Sequence, residues 1–342
     1  MAVIMLMSIA AFARAAETGG YQTPPIWRVS QGEHVLWVVG TIRPLPEGFT
    51  KEPWSGPRLK QVAADATTYV GPPKIETRIS NPLAALNALR HYNALRRIPR
   101  RETLADVLPA PMYDRFEQIR QRLGVRSRSV ARLRPMLAAN ELLGFALKKN
   151  GLTDRDFSKS VRRLATRNGA SAIKPQIKVS IGEAVELLRS LPESIELQCM
   201  RATLDYLESG IQNAELTSSL WRAGRLSDLY RYDYSLVDRC ADAAFSGDSA
   251  DGVRERAWQL WRQAVLDALQ HHALSIASLP LYELTKADSP LCTLPGELMV
   301  HHDAANLWNP QKEYCINKQY ETTPSSPSST DPTPHETDRA RQ

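Results

Sequence analysis

Two apolar runs, "VLWVVGT" at 35–41 and "ALSIASLP" at 273–280, lie at opposite ends of a mostly helical stretch. Each is too short for a spanning helix and is bounded by turn signals, the pattern of a strand covered on both faces. A strand buried that way needs strand neighbours within a sheet and helices over it. The two runs are therefore expected to meet in one sheet. The fold class that follows is α/β, a central mixed β-sheet built from N- and C-terminal strands with a large helical insertion.

Between these runs the punctuation is regular. Ile26 to Ser30 and Val35 to Thr41 flank Gln31-Gly32-Glu33-His34, which reads as a hairpin turn. Pro57 to Ala66 reads as a helix and "TTYV" as a short strand ending at Gly71-Pro72-Pro73. In "NPLAALNALRHYNALRR" Asn81 is placed to cap a helix with Pro82 at its first position. "PAPMYDRFEQIRQRLG" and "ARLRPMLAANELLGFALKKNG" are further helices closed by Gly, and "SAIKPQIKVS" is the next strand. A second helical block from Gly182 to about His272 carries Trp221, Trp258 and Trp261. The expected organisation is one domain over 21–315, largely helical over 80–272. A Pro/Ser/Thr-rich tail at 322–342 follows, of disordered composition.

The start, "MAVIMLMSIAAFARAAETGG", reads as an export signal over 1–15, with Ala13-Arg14-Ala15 as its small-residue cleavage site. No other stretch approaches the roughly 18 apolar residues of a membrane span. An exported protein, periplasmic or secreted, is the expectation. In that compartment Cys199, Cys240, Cys292 and Cys315 read as disulfides, since none has zinc-ligand spacing. Chain order favours Cys199–Cys240 and Cys292–Cys315, each bridge contributing about 3–4 kcal/mol. The other pairings stay open, as do four free thiols without export.

The net charge is +6. Residues 90 to 134 hold twelve Arg against Glu102, Asp106, Asp114 and Glu117, and "RRIPRR" is the densest part. Arg96, Arg97, Arg100 and Arg101 are candidates for an anionic membrane surface or acidic polysaccharide, because guanidinium forks suit oxyanions. No nucleic-acid motif is present, and export argues against that partner. Phosphate loops and G-x-S-x-G elbows are absent. His271-His272 and His301-His302 are adjacent pairs, and neighbours on a helix point about 100° apart, so neither chelates as HExxH does.

"PPIWRVSQGEHVLWVVGTIRPLPEG" resembles the opening of the TraB/GumN family, with its Pro-Pro-x-Trp, hairpin and Gly-Thr-Ile-His pattern. "TLADVLPAPMYDRF", "SIGEAVELLRSLPESIELQCMRATLDYLE" and "WRAGRLSDL" resemble later helical segments of that family, so the likeness spans roughly 24 to 300. It implies a TIKI-like fold and, in active relatives, a metal-dependent peptidase site. There a His after the first strand, a Glu after the next strand and a late Gly-x-x-His converge. Here Arg43 holds the first position and offers no lone pair to a metal. No carboxylate stands near Val70-Gly71-Pro72, and Tyr282-Glu283 replace the late His pattern. An Arg-Asn-x-x-Trp motif survives as Arg254, Glu255 and Trp258.

The degenerate-site positions are thus Arg43, Arg254, Glu255, Trp258, Tyr282 and Glu283, with no metal ligand set and no cofactor expected. Arg43 and Glu283 are expected to face each other as an ion pair. Three readings follow. The first is a non-catalytic binding or envelope role for the cleft. The second is a hydrolase rearranged around Glu283, Glu255 and Arg43, with Arg43 stabilising an oxyanion. The third is docking on anionic surfaces.

Overall fold

The computed structural model describes residues 23–49, 54–78, 90, 92–99, 102–155, 157–232, 235–236, 238–240, 248–286, 289–294 and 297–301. The expected signal segment, Arg100, Arg101, His302, Cys315 and the tail lie outside these residues.

Strand β1 (Ile26–Gln31) turns into β2 (His34–Thr41) through Gly32, whose φ of 58° suits a residue without Cβ. Then come β3 (Leu45–Pro46), helix α1 (Pro57–Asp65), β4 (Thr68–Val70) and β5 (Lys74–Arg78). The helical insertion opens with α2 (Leu104–Val107), α3 (Ala110–Leu123), α4 (Ser127–Val130) and α5 (Pro135–Lys149). Gly124 closes α3 in the left-handed region, the stop that the sequence signalled. Next are β6 (Leu152–Thr153), α6 (Ser158–Arg167), β7 (Ser171–Ile173) and β8 (Gln176–Ser180). They lead to α7 (Ile181–Arg189), α8 (Glu193–Asp205), α9 (Ala214–Arg222) and α10 (Leu226–Leu229). The long α11 (Asp248–His271) returns the chain to β9 (Leu274–Pro280), α12 (Leu281–Thr285) and β10 (Glu297–His301).

Among the described residues the main sheet runs β10-β1-β2-β9-β4-β7. The two apolar runs do meet: β2 and β9 pair in parallel, from Val35 opposite Leu274 to Thr41 opposite Pro280. β4 and β7 extend the parallel part, while β1 and β10 are antiparallel. The sheet is therefore mixed, with its first and last strands side by side. Two further details depart from the sequence reading. "SAIKPQIKVS" is two strands, not one, because Pro175 has no amide to donate and interrupts the ladder. Its first half, β7, joins the main sheet, and its second half, β8, pairs with β5 in a separate two-stranded sheet. The stretch expected to be largely helical over 80–272 also contains β6, which pairs with β3.

Two main apolar cores result. One surrounds the sheet and includes Trp27, Leu36, Val38, Val39, Trp221 and Trp261. The other lies inside the insertion, around Phe116, Leu142, Met200 and Leu204. Gly40 marks where the first core is tightest: an added Cβ would lie 2.7 Å from Trp27 Cζ3 and 2.9 Å from Leu281 Cδ1. No side chain fits there without shifting both neighbours. Trp221, in the "WRAGRL" segment of α9, donates its indole N–H to the Gly40 carbonyl at 2.7 Å. The insertion is thereby fastened to the end of β2.

Candidate functional site

Parallel strands present their carboxyl ends at one rim, where α/β proteins place ligands. Here that rim carries the segments after β2, β9, β4 and β7. Tyr69 at its centre is hydrogen-bonded to the Ser158 carbonyl at 3.1 Å and to Ser278 Oγ at 2.7 Å, tying β4, α6 and β9 together. Just past β2, Arg43 reaches Asp238 Oδ1 from Nε at 3.0 Å and from Nη2 at 2.5 Å. The Asp238 side chain is 7% exposed and that of Arg43 33%. A nearly buried carboxylate needs such a partner, and the guanidinium supplies two donors to one oxygen.

The expected pairing of Arg43 with Glu283 is corrected by this geometry. Arg43 is engaged by Asp238, and Glu283 lies 2.7 Å from Lys286 Nζ, one turn along α12. The i,i+3 spacing on a helix gives Glu283 a local cation, so no reach across the rim is needed. Asp238 was missed in the sequence because "SLVDRC" carries no motif; only three-dimensional proximity makes it a partner.

Four of the degenerate-site positions do come together. Arg254, Glu255 and Trp258 from α11 line one cavity of about 410 Å³ with Glu283 and Lys286. Arg43 does not line it, nor does Tyr282, whose ring centroid is 5.7 Å from Lys286 Nζ. The trio Glu283, Glu255 and Arg43 is therefore not assembled in one cavity. Among the described residues there is no group of three His, Cys, Asp or Glu placed to hold a metal ion.

A larger cavity, about 700 Å³, opens directly after Arg43. Its apolar wall comes from Leu45, Pro46, Phe49 and Phe157, while Arg155, Lys159 and Arg163 supply charge, opposed by Glu47. None of the three cations has a carboxylate partner among the described residues. Lys159 and Arg163 stand one turn apart on α6, so both project from the same helix face. Sequence reading passed over these residues, because "DRDFSKSVRR" looks like a plain solvated helix start.

The remaining predicted positions divide. Cys199 and Cys240 are brought together but stand as free thiols, not as the expected bridge. Contact with Cys240 and burial push the Cys199 thiol up. Cys292 sits in the turn Pro290–Thr293, and its expected partner Cys315 lies outside the described residues. Arg96 contacts Glu141 at 3.4 Å and lies over the Tyr92 ring. Arg97 is exposed and Arg100 and Arg101 lie outside the described residues.

The mixed α/β fold is the one expected from the two apolar runs, and the TraB/PrgY/gumN family model matches residues 25–268. The chain belongs to the TraB/PrgY/gumN family. No curated protein and no solved structure matches it. Within the TraB/PrgY/gumN stretch lie both Arg43 and Asp238, so the ion pair is part of the family domain and not of an appendage.

Proposed function

We propose that this TraB/PrgY/gumN protein is a binding protein whose cleft takes a small oxyanion-bearing ligand instead of hydrolysing a peptide bond. One observation carries the reading: three cations without carboxylate partners among the described residues line the 700 Å³ cavity after β2. That volume lies within the roughly 300–1,000 Å³ of small-molecule sites. Guanidinium and ammonium groups above an apolar wall suit a carboxylate or phosphate on a sugar or lipid headgroup. The absence of hydrolysis is supported by Arg43. A guanidinium tied to Asp238 occupies the position where the family resemblance puts a metal-binding His, and it would repel a cation. The residues present do not fit a divalent ion.

A second reading, a rearranged hydrolase, draws on Glu255 and Glu283 sharing the 410 Å³ cavity. It is weaker, because Glu283 is ion-paired with Lys286 and Glu255 accepts from Gln259 at 3.0 Å. Docking through Arg96 and its neighbours remains a third proposal.

The first reading is tested by thermal denaturation with inorganic phosphate and, separately, glucuronate. Either anion should raise the melting temperature by mass action, and added salt should reduce the effect. Charge reversal at the exposed pair, Lys159→Glu with Arg163→Glu, should remove the shift while leaving the unliganded melting temperature near its starting value. A shift that survives the reversal would refute the site. We also propose export, on the strength of the signal-like residues 1–15; sequencing the mature N-terminus from native cells should give a start near residue 16, and an intact Met1 would refute it.

A further inference from the structure

The cavity after β2 carries both signs of charge, and its frame holds them apart. Arg155, Lys159 and Arg163 supply the positive wall and Glu47 the negative one. In the ladder of β3 with β6, Leu45 stands opposite Thr153 and Pro46 opposite Leu152. The Glu47 amide then donates to the Gly151 carbonyl at 2.7 Å. Glu47 is thus fixed beside the residue that precedes β6, whereas Arg155 comes two residues after its last one. The strands are antiparallel, so the carboxylate and the first cation belong to opposite ends of the ladder. Among the described residues none of the three cations forms an ion pair with Glu47, and the Glu47 side chain has no other partner. All four residues are exposed, so a ligand can reach each of them.

This division selects among oxyanions. A bare anion would satisfy the positive wall and be repelled by Glu47, which would stay without a counter-charge. An ammonium group carried beyond the oxyanion meets Glu47 as well, through a charge-assisted hydrogen bond. The cavity, about 700 Å³, is far larger than a phosphate and leaves room for a body between the two groups. Thr153 lies between the two ends in the register. Its hydroxyl accepts from the Arg155 amide at 3.2 Å and keeps its own proton to donate. Ser160 adds a second hydroxyl to the lining. Neutral groups of this kind match the hydroxyls of a sugar.

We propose that the rim cavity selects an amino sugar phosphate, its phosphate on Arg155, Lys159 and Arg163 and its ammonium group on Glu47. The proposal rests on the oxyanion reading above and adds the other half of the ligand. Phosphoethanolamine carries the same two charges without the hydroxylated body, so it serves as the competing source.

Glucosamine 6-phosphate and glucose 6-phosphate differ by an ammonium group in place of one hydroxyl. In calorimetric titration at low ionic strength the amino sugar should bind roughly fivefold more tightly, the upper scale of an exposed ion pair. Glu47→Gln keeps the size of a side chain that holds nothing else in place, and should bring the two sugars to equal affinity. Equal affinity in the unaltered protein, or a preference that survives Glu47→Gln, would overturn the proposal while leaving the oxyanion site standing. Phosphoethanolamine binding more tightly than glucosamine 6-phosphate would assign the cavity to a lipid headgroup and overturn the sugar. Binding of neither sugar phosphate, or binding untouched by Lys159→Glu with Arg163→Glu, would refute the oxyanion site itself.

Discussion

Trp221→Ala is expected to lose about 3–5 kcal/mol of stability, the scale of removing a fully buried aromatic side chain from a core. Trp221 is 0% exposed and sits against Phe157, with ring centroids 5.0 Å apart, and Phe49 at 5.8 Å. Its loss would leave a cavity at the junction of sheet and insertion. It would also take the indole N–H away from the Gly40 carbonyl. Trp221→Phe separates the two contributions. It keeps much of the ring and loses the N–H, so about 1–3 kcal/mol should go with the unsatisfied carbonyl. Urea denaturation measures both. A loss below about 1 kcal/mol for Trp221→Ala would mean that the insertion is not fastened to β2 through this residue.

Arg134→Met should be comparably severe at neutral pH, about 3–5 kcal/mol, because it strands the Glu196 carboxylate in the second core. The dependence on pH gives the sharper signature. Burial already raises the Glu196 carboxyl above its ordinary range, against the lowering pull of Arg134. A carboxyl raised in the folded state favours folding most when protonated. Its contribution is fully present below the unfolded value and is lost as pH rises through the folded one. Removing Arg134 raises the folded value further. The penalty should therefore shrink as pH falls towards the ordinary carboxylate range and widen towards neutrality. Adding Glu196→Met to Arg134→Met should recover much of the loss at neutral pH, as replacing both partners of a buried pair often does. Denaturation curves at neutral and mildly acidic pH measure this, and a penalty indifferent to pH would show that Glu196 is not the stranded group.

The strands at the two ends of the chain were legible because their apolar runs are continuous and their turns carry Gly and Pro. What was not legible depends on distant partners. The excess of Arg over 90–134 looked like one anionic-binding face. Much of it is spent internally, on carboxylates supplied from outside that window: Arg96 on Glu141, Arg115 on Asp205 and Glu208, Arg134 on Glu196. A local charge count cannot see them. The same reason hid Asp238 as the partner of Arg43. Arg43 was visible at the position where the resemblance puts a His, but the partner it takes was not. The β3–β6 pair escaped notice because two-residue strands have no periodicity to read.

The central claim, that the rim is a ligand cleft without a metal centre, is met most directly by elemental analysis of the purified, dialysed protein. The account predicts zinc, manganese and cobalt all far below one ion per chain, with Arg43 held by Asp238 in place of a ligand. Any one of these metals retained near equimolar amounts, and lost on changing rim residues Asp238 or Glu283, would contradict it.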